Sequence, residues 1–124
     1  MIIEDDPLMI RMYERIFKLN KYDIETAFDG EEGLAKLKSS KDKPSIILLD
    51  VMMPKMNGFD VLALLKKDEE LKEIPVIILT NLAGKEESEK GIELGAVSYL
   101  VKSEHEPKEV VSIVEEIIKK YSKD

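Results

Sequence analysis

Apolar and polar positions follow two rhythms along the chain, one typical of helices and one typical of strands. A helix is predicted over Pro7–Leu19, because its apolar positions recur every three or four residues: Met9, Met12, Tyr13 and Ile16. Asp6 suits the N-cap of this helix and Pro7 suits its first position. Further helices are predicted over residues 31–39, 58–67, 86–94 and 107–120.

Short apolar runs between these helices predict five strands. Residues 46–49 and 76–79 are apolar throughout, as expected for central strands that are buried on both faces of a sheet. Residues 22–27 alternate, which is typical of an edge strand, and residues 1–3 and 97–101 complete the set. Strands that alternate with helices form βαβ units, so the predicted fold is a doubly wound α/β domain with a parallel sheet. Because residues 1–3 make an unusually short strand, we expect a few residues to precede them in the natural protein.

Composition narrows the possible functions. The chain has 124 residues, so we expect a single domain over residues 1–124 with no output domain in this chain. It has no Cys and one His, which excludes disulfides, Cys-ligated zinc and thiol catalysis. The net charge of −7 and the lack of a basic block indicate no direct nucleic-acid binding. No apolar run approaches a membrane span and no signal sequence opens the chain, so we expect a cytoplasmic protein with no membrane contact.

Four of the predicted strands are followed directly by residues that can do chemistry: Glu4, Asp5 and Asp6, then Asp50, Thr80 and Lys102. In a parallel sheet all strands end at the same edge, and ligands bind outside that edge. Carboxylates held close together repel one another, and a hard divalent cation such as Mg²⁺ neutralises them while bridging to phosphate. With a Lys cation and a Thr hydroxyl nearby, this set favours phosphoryl transfer to a carboxylate nucleophile.

Taken one at a time, these residues have simpler interpretations. Asp6 is expected to be only a helix cap, and an Asp after a strand is commonly a turn former. Lys102 alone would be a solvated surface charge. His105 is expected to be an exposed loop residue rather than a ligand or a phosphodonor. The combination favours a functional site, because chance rarely places compatible chemistry at four strand ends.

These motifs resemble the response-regulator receiver domains of two-component signalling, of the chemotaxis-regulator type. The resemblance extends over essentially the whole chain and rests on these segments: Ile2–Asp6, Leu48–Pro54, Met56–Gly58, Ile78–Thr80, and Gly95–Ala96 leading to Tyr99–Lys102. It implies a flavodoxin-like (βα)5 fold in which five parallel strands have the order 2-1-3-4-5, the order known for flavodoxin and the chemotaxis regulator.

The resemblance also implies how the acceptor and the metal are arranged. Asp50 would accept a phosphoryl group from a sensor histidine kinase or a phosphotransfer protein. Asp5 and Asp50 would bind Mg²⁺ directly, the Met52 backbone carbonyl would add a ligand, and Glu4 would act mainly through water.

Three residues would form the switch. Lys102 and Thr80 would hold the phosphoryl oxygens, and Tyr99 would be the rotating aromatic residue. Phosphorylation would then reshape a surface made by the helix over 86–94, the strand over 97–101 and the last helix. That surface would bind a downstream target protein or a covalently linked output domain, so the domain would be a signalling module rather than an enzyme with a separate substrate.

Two positions depart from the family pattern. Ser103 follows the Lys where Pro is usual, which removes the residue that favours the family's cis peptide, because a cis bond before other residues costs about 2.5–4 kcal/mol. Asn81 follows the Thr where a small residue is usual, which bears on access to Asp50 and on the lifetime of its phosphorylated state.

Three other classes of protein remain as alternatives. A pseudo-receiver would use the same fold as a constitutive binding surface, although the complete set of site residues opposes it. An aspartyl-phosphate enzyme of the dehalogenase type would carry a second Asp two residues after the nucleophile, where this chain has Met52. A flavodoxin-like cofactor binder would need a Ser/Thr/Gly-rich phosphate loop, and the run Glu4–Pro7 would repel phosphate unless a metal intervened.

Overall fold

The computed structural model describes residues 1–121, which form a five-stranded parallel sheet with helices on both sides. The strands are β1 (Ile2–Ile3), β2 (Thr26–Ala27), β3 (Ile47–Leu49), β4 (Val76–Thr80) and β5 (Ser98–Val101). The helices are α1 (Pro7–Leu19), α2 (Gly30–Ser39), α3 (Gly58–Lys67), α4 (Lys85–Glu93) and α5 (Pro107–Tyr121), and a 3-10 turn covers Lys102–Glu104. The strand order is β2-β1-β3-β4-β5, which confirms the predicted doubly wound fold.

β2 is much shorter than the alternating segment that predicts it. Its pairing with β1 joins Ile2 to Thr26 and Ile3 to Ala27, and β1 has only those two residues. Residues 22–24 therefore have no strand residue beside them, and their alternation reflects the packing of Tyr22 and Ile24 against the core. The predicted edge position is correct, and the predicted extent of residues 22–27 is wrong.

Alternation along the strands divides the core into two halves. On one face of the sheet, residues such as Ile2 and Leu48 pack with α1 and α5. On the opposite face, residues such as Ile3 and Leu49 pack with α2 and α3. A residue that directly follows a strand continues this alternation, so the sequence position of each strand end decides which face its side chain approaches.

The helices differ in how firmly they are held. α1 begins as predicted, because the Asp6 side chain accepts a hydrogen bond from the Leu8 N–H at 2.9 Å. α4 follows Gly84 without a side-chain cap, and Gly91 is its one buried residue. Across residues 1–121, no helix has both the length and the apolar character that crossing a bilayer requires.

Candidate functional site at the carboxyl edge of the sheet

Three carboxylates meet where β1 and β3 end. Glu4, Asp5 and Asp50 each offer an oxygen, and these three oxygens lie within 4.8 Å of one another. Glu4 and Asp50 are only 3% and 6% exposed, whereas Asp5 is exposed. The sequence-based prediction that these residues come together is confirmed by this arrangement.

The register of the sheet explains why two of them are neighbours. Ile2 pairs with Leu48 and Ile3 pairs with Leu49, so Glu4 and Asp50 are the next residues on adjacent strands. Backbone hydrogen bonds continue past the strand ends: the Asp50 N–H donates to Ile3 at 3.0 Å, and the Glu4 N–H donates to Ala27 at 3.0 Å. Both side chains therefore lie on the α1/α5 face.

Lys102 brings a cation to the two buried carboxylates. Its side chain is only 7% exposed, and its Nζ donates to Glu4 Oε1 and, at 3.3 Å, to Asp50 Oδ2. It follows β5 on the same face of the sheet as Leu100. The interpretation of Lys102 as a solvated surface charge is therefore wrong for this chain.

The pKa values in this cluster show that burial opposes the ionisation of Glu4 and that Lys102 offsets this effect only in part. Burial, reinforced by the neighbouring Asp50 carboxyl, raises the pKa of Glu4 from 4.5 to about 7 against the lowering effect of Lys102. Burial alone would lower the pKa of Lys102, but its hydrogen bond to Glu4 and the charge of Asp50 outweigh burial and raise it. One internal cation thus compensates the buried carboxylates only in part.

The loop after β3 holds Asp50 in place. The Met52 N–H donates to Asp50 Oδ1 at 3.3 Å, and the Met52 side chain is exposed. The Gly58 N–H donates to the Val51 carbonyl at 2.9 Å, which brings α3 against the loop. A Cβ on Gly58 would lie 2.2 Å from the Asp50 carbonyl oxygen, so this close approach requires Gly.

Thr80 and Tyr99 lie on the other face of the sheet and are linked through one residue. Thr80 is fully buried, and its Oγ1 accepts a hydrogen bond from the Leu82 N–H at 3.2 Å. The Leu82 carbonyl in turn accepts from the Tyr99 hydroxyl at 2.5 Å. The Tyr99 ring packs next to Gly91 of α4, where an added Cβ would lie 2.9 Å from Tyr99 Cδ2. Sequence reasoning missed Leu82, because it acts through its backbone and carries no side-chain signal.

The remaining predicted positions are placed as follows. Ser103 follows Lys102 through a trans peptide, and Asn81 is exposed beside Thr80. His105 lies in a loop, as predicted, but its side chain is only 24% exposed and its Nδ1 lies 3.7 Å from a Glu109 oxygen. The prediction of an exposed His105 is therefore wrong: the ring is partly buried and lies near Glu109 in the first turn of α5.

The donor set fits a hard divalent cation. All three side-chain groups are carboxylates, which Mg²⁺ prefers, and they are close enough to contribute to one coordination shell. Burial, and after it the neighbouring Asp50 carboxyl, raises the pKa of Glu4, so additional positive charge here would favour the ionised cluster. Asp5, at the exposed end of the cluster, leaves a side open to water and to a phosphate.

Fold and site together define a doubly wound α/β domain with an acidic cluster, a Lys and a Thr gathered at the carboxyl edge of its sheet. Residues 1–115 match the response regulator receiver domain family, and the chain belongs to this family. This match confirms the resemblance seen in the sequence. Receiver domains are phosphorylation-dependent signalling domains.

Individual relatives support the same family. Response regulator PleD of Caulobacter vibrioides is 39% identical over 102 residues, which is 82% of this chain and 22% of PleD. A signal receiver domain of a histidine kinase from Syntrophus aciditrophicus is 28% identical with a TM-score of 0.88, covering 99% of this chain and 91% of that one. The Mn(2+)-bound form of response regulator Rcp1 is 28% identical with a TM-score of 0.76, covering 97% of this chain and 86% of that one. The chain spans about half or less of the curated relatives it matches.

Proposed function

We propose that this domain accepts a phosphoryl group on Asp50 from a phosphohistidine of a sensor kinase or phosphotransfer protein, with Mg²⁺ bound beside it. The observation that carries this proposal is the position of Asp50. Its carboxylate lies between two other carboxylates and the Lys102 ammonium, at the edge where ligands reach a parallel sheet.

Asp50 is the best nucleophile of the cluster. Glu4 is occupied by Lys102 and by the Asp6 N–H, which donates to Glu4 Oε2 at 3.2 Å. Asp50 is held more loosely, by contacts of 3.3 Å from Lys102 and Met52. In the proposed step, a carboxylate oxygen of Asp50 forms a P–O bond while the P–N bond of the phosphohistidine breaks, and the imidazole keeps the electron pair of that bond.

Glu4, Asp5, Asp50 and the backbone carbonyl of Met52 would hold the metal, with water completing the shell. Mg²⁺ in this place would neutralise charge on the transferring phosphoryl oxygens. The Mn(2+) bound to the related Rcp1 supports a divalent cation. Glu4 is the least available ligand, because Lys102 already pairs with it, which favours a contact through water.

Lys102 and Thr80 would bind the phosphoryl oxygens once Asp50 is modified. Lys102 is already within 3.3 Å of Asp50, so it needs only to exchange Glu4 for a phosphoryl oxygen. Thr80 Oγ1 accepts from the Leu82 N–H in this structure, which leaves its own O–H free to donate, and a movement of the hydroxyl toward a phosphoryl oxygen would draw it away from Leu82. A phosphoryl group brings roughly two negative charges and three acceptor oxygens, which suffices to compete for both groups.

The switch would follow from the release of Leu82. Its carbonyl accepts from the Tyr99 hydroxyl, so a movement of this residue toward or away from Thr80 changes the hydrogen bond of the ring. Tyr99 packs next to α4, and its displacement would alter the surface formed by α4, β5 and α5. Because Tyr99 already makes this bond here, phosphorylation would change an existing link rather than create one. That surface is the proposed contact for a target protein or a linked output domain.

Intact mass spectrometry tests the acceptor. Incubation with a small-molecule phosphodonor and Mg²⁺ should add one phosphate to the wild type and none to Asp50→Asn. Asp23→Asn is the control, because Asp23 is exposed in the loop before β2, at the opposite edge of the sheet. A phosphate retained by Asp50→Asn, or lost from Asp23→Asn, would contradict the assignment.

NMR spectra test the switch. Thr80→Ala should accept phosphate at Asp50, yet the signals of Tyr99 should respond to phosphorylation or to a beryllofluoride mimic much less than in the wild type. Thr80→Ser keeps the hydroxyl and should restore the response. Equal responses in wild type and Thr80→Ala would show that Thr80 is not the coupling residue.

A further inference from the structure

Tyr13 is a buried tyrosine beside the site that the function described above does not use. It lies in α1 on the face that packs against the sheet and α5, and it is only 2% exposed. The sequence pattern places it among the apolar residues of that helix, where a Leu would serve equally well. The hydroxyl of a buried Tyr usually has a hydrogen-bond partner, so the space around this one is informative.

A small cavity connects Tyr13 with the acidic cluster. It has a volume of about 10 Å³ and is lined by Tyr13, Glu4 and Asp50, with apolar residues of β1, β3 and β4 around them. This is the size of one water molecule, and a buried water needs two to four polar partners. The phenol and the two carboxylates supply three such partners, so the cavity has the size and the chemistry for a single water.

The charges around Tyr13 favour a donor rather than an acceptor. Burial raises the pKa of the Tyr13 phenol, and Lys102, Glu4 and Asp50 all act on it electrostatically. The phenol therefore stays protonated at neutral pH and presents an O–H to negatively charged neighbours. Each buried carboxylate oxygen that already accepts one hydrogen bond keeps a lone pair for a second one.

We propose that Tyr13 is a positioning residue of this site, whose hydroxyl holds the Glu4 and Asp50 carboxylates through one water in the cavity between them. The water would add a third contact to carboxylates that Lys102 and the loop after β3 already hold. Carboxylates fixed in this way lose less freedom when a metal binds. The consequence for Mg²⁺ rests on the proposed function, whereas the water itself does not.

Tyr13→Phe tests the proposal, because it removes one oxygen and keeps the ring. Tyr22→Phe is the matched control: Tyr22 packs against Phe17 on the same half of the core, with ring centroids 5.6 Å apart, and does not line the cavity. A high-resolution crystal structure of the metal-free wild type should show one water within hydrogen-bonding distance of Tyr13 Oη and a carboxylate. The same position should be empty in Tyr13→Phe and occupied in Tyr22→Phe.

Mg²⁺ titration followed by tyrosine fluorescence gives the second measurement, since the chain has no Trp to mask the four Tyr residues. Tyr13→Phe should weaken Mg²⁺ binding by about 3- to 10-fold and remove part of the emission change, while Tyr22→Phe stays within about twofold of wild type.

The outcomes separate this proposal from the proposed function. A wild-type cavity without water overturns the role of Tyr13, whatever Mg²⁺ does. A Tyr13→Phe variant that loses the water but binds Mg²⁺ like Tyr22→Phe also overturns it. A wild-type protein that binds no Mg²⁺ contradicts the proposed metal site, and the crystal structures then decide the water alone.

Discussion

Replacing Glu4 with Gln should stabilise the metal-free protein at pH 8. Gln keeps the size of Glu and removes its charge. In the wild type, burial and the neighbouring Asp50 raise the pKa of Glu4 from 4.5 to about 7. The folded state therefore binds the proton of Glu4 more tightly than the unfolded chain does, and the free energy of unfolding falls as pH rises through this interval.

The structure gives the size of the effect. The interval from pH 4.5 to 7 corresponds to about 3 kcal/mol, lost between these values and not regained above pH 7. The pKa of Glu4 already includes its ion pair with Lys102, which Gln gives up, and the expected gain of Glu4→Gln at pH 8 is about 1–3 kcal/mol. The Met1 amino group has the opposite effect between pH 6 and 8, because burial lowers its pKa from 8.0 to about 6. Its contribution is the same in both proteins and cancels in the difference.

Urea unfolding followed by circular dichroism, with EDTA present and the pH varied from 5 to 8, measures this difference. The stability of Glu4→Gln relative to wild type should rise from pH 5 to 7, and the difference between the two curves should then stay constant to pH 8. Glu116→Gln is the control, since Glu116 is exposed on α5. A Glu4→Gln variant less stable than wild type at pH 8 would refute the reasoning, because it would mean that the ion pair with Lys102 outweighs the burial of the carboxylate.

Three further predictions concern neighbouring positions. Gly58→Ala should destabilise the fold by about 1–3 kcal/mol and slow phosphorylation of Asp50, measured by urea unfolding and by intact mass, because its Cβ would lie 2.2 Å from the Asp50 carbonyl oxygen. Lys102→Gln should destabilise the metal-free protein by about 3 kcal/mol at pH 8 and much less at pH 5, where Glu4 is protonated; equal losses at both pH values would contradict this explanation. Asp5→Asn should weaken Mg²⁺ binding in a calorimetric titration and raise metal-free stability by less than Glu4→Gln does, since Asp5 is exposed.

The sequence predicts the sheet and its functional edge well because both follow from strong local signals. The apolar runs over residues 46–49 and 76–79 strongly predict central strands. β3 lies within the first run, and β4 covers the second run and one further residue. Once the strands are parallel, Asp50 and Lys102 must lie at one edge although they are 52 positions apart in the sequence. This part of the site needs no knowledge of side-chain packing.

Other features depend on tertiary contacts that no local pattern encodes. The length of β2 is set by its partner β1, not by its own alternation. Lys102 pairs with Glu4 as well as with Asp50 because the register of the sheet places these two carboxylates side by side. His105 is partly buried near Glu109 of α5, and a single residue in a polar stretch carries no signal of that contact.

The weak attachment of α4 has a consequence for the motions of the domain. A helix with no side-chain cap and Gly91 as its only buried residue loses little packing when it opens, whereas β4 is buried throughout. Opening free energies should therefore differ widely within one small domain, and amide protons of α4 should exchange with solvent far faster than those of β4. The Tyr99 ring touches both elements, since it packs near Gly91 and near Ile78 of β4. A small change at this ring therefore acts on the element that we expect to open most readily, next to one that we expect to stay closed.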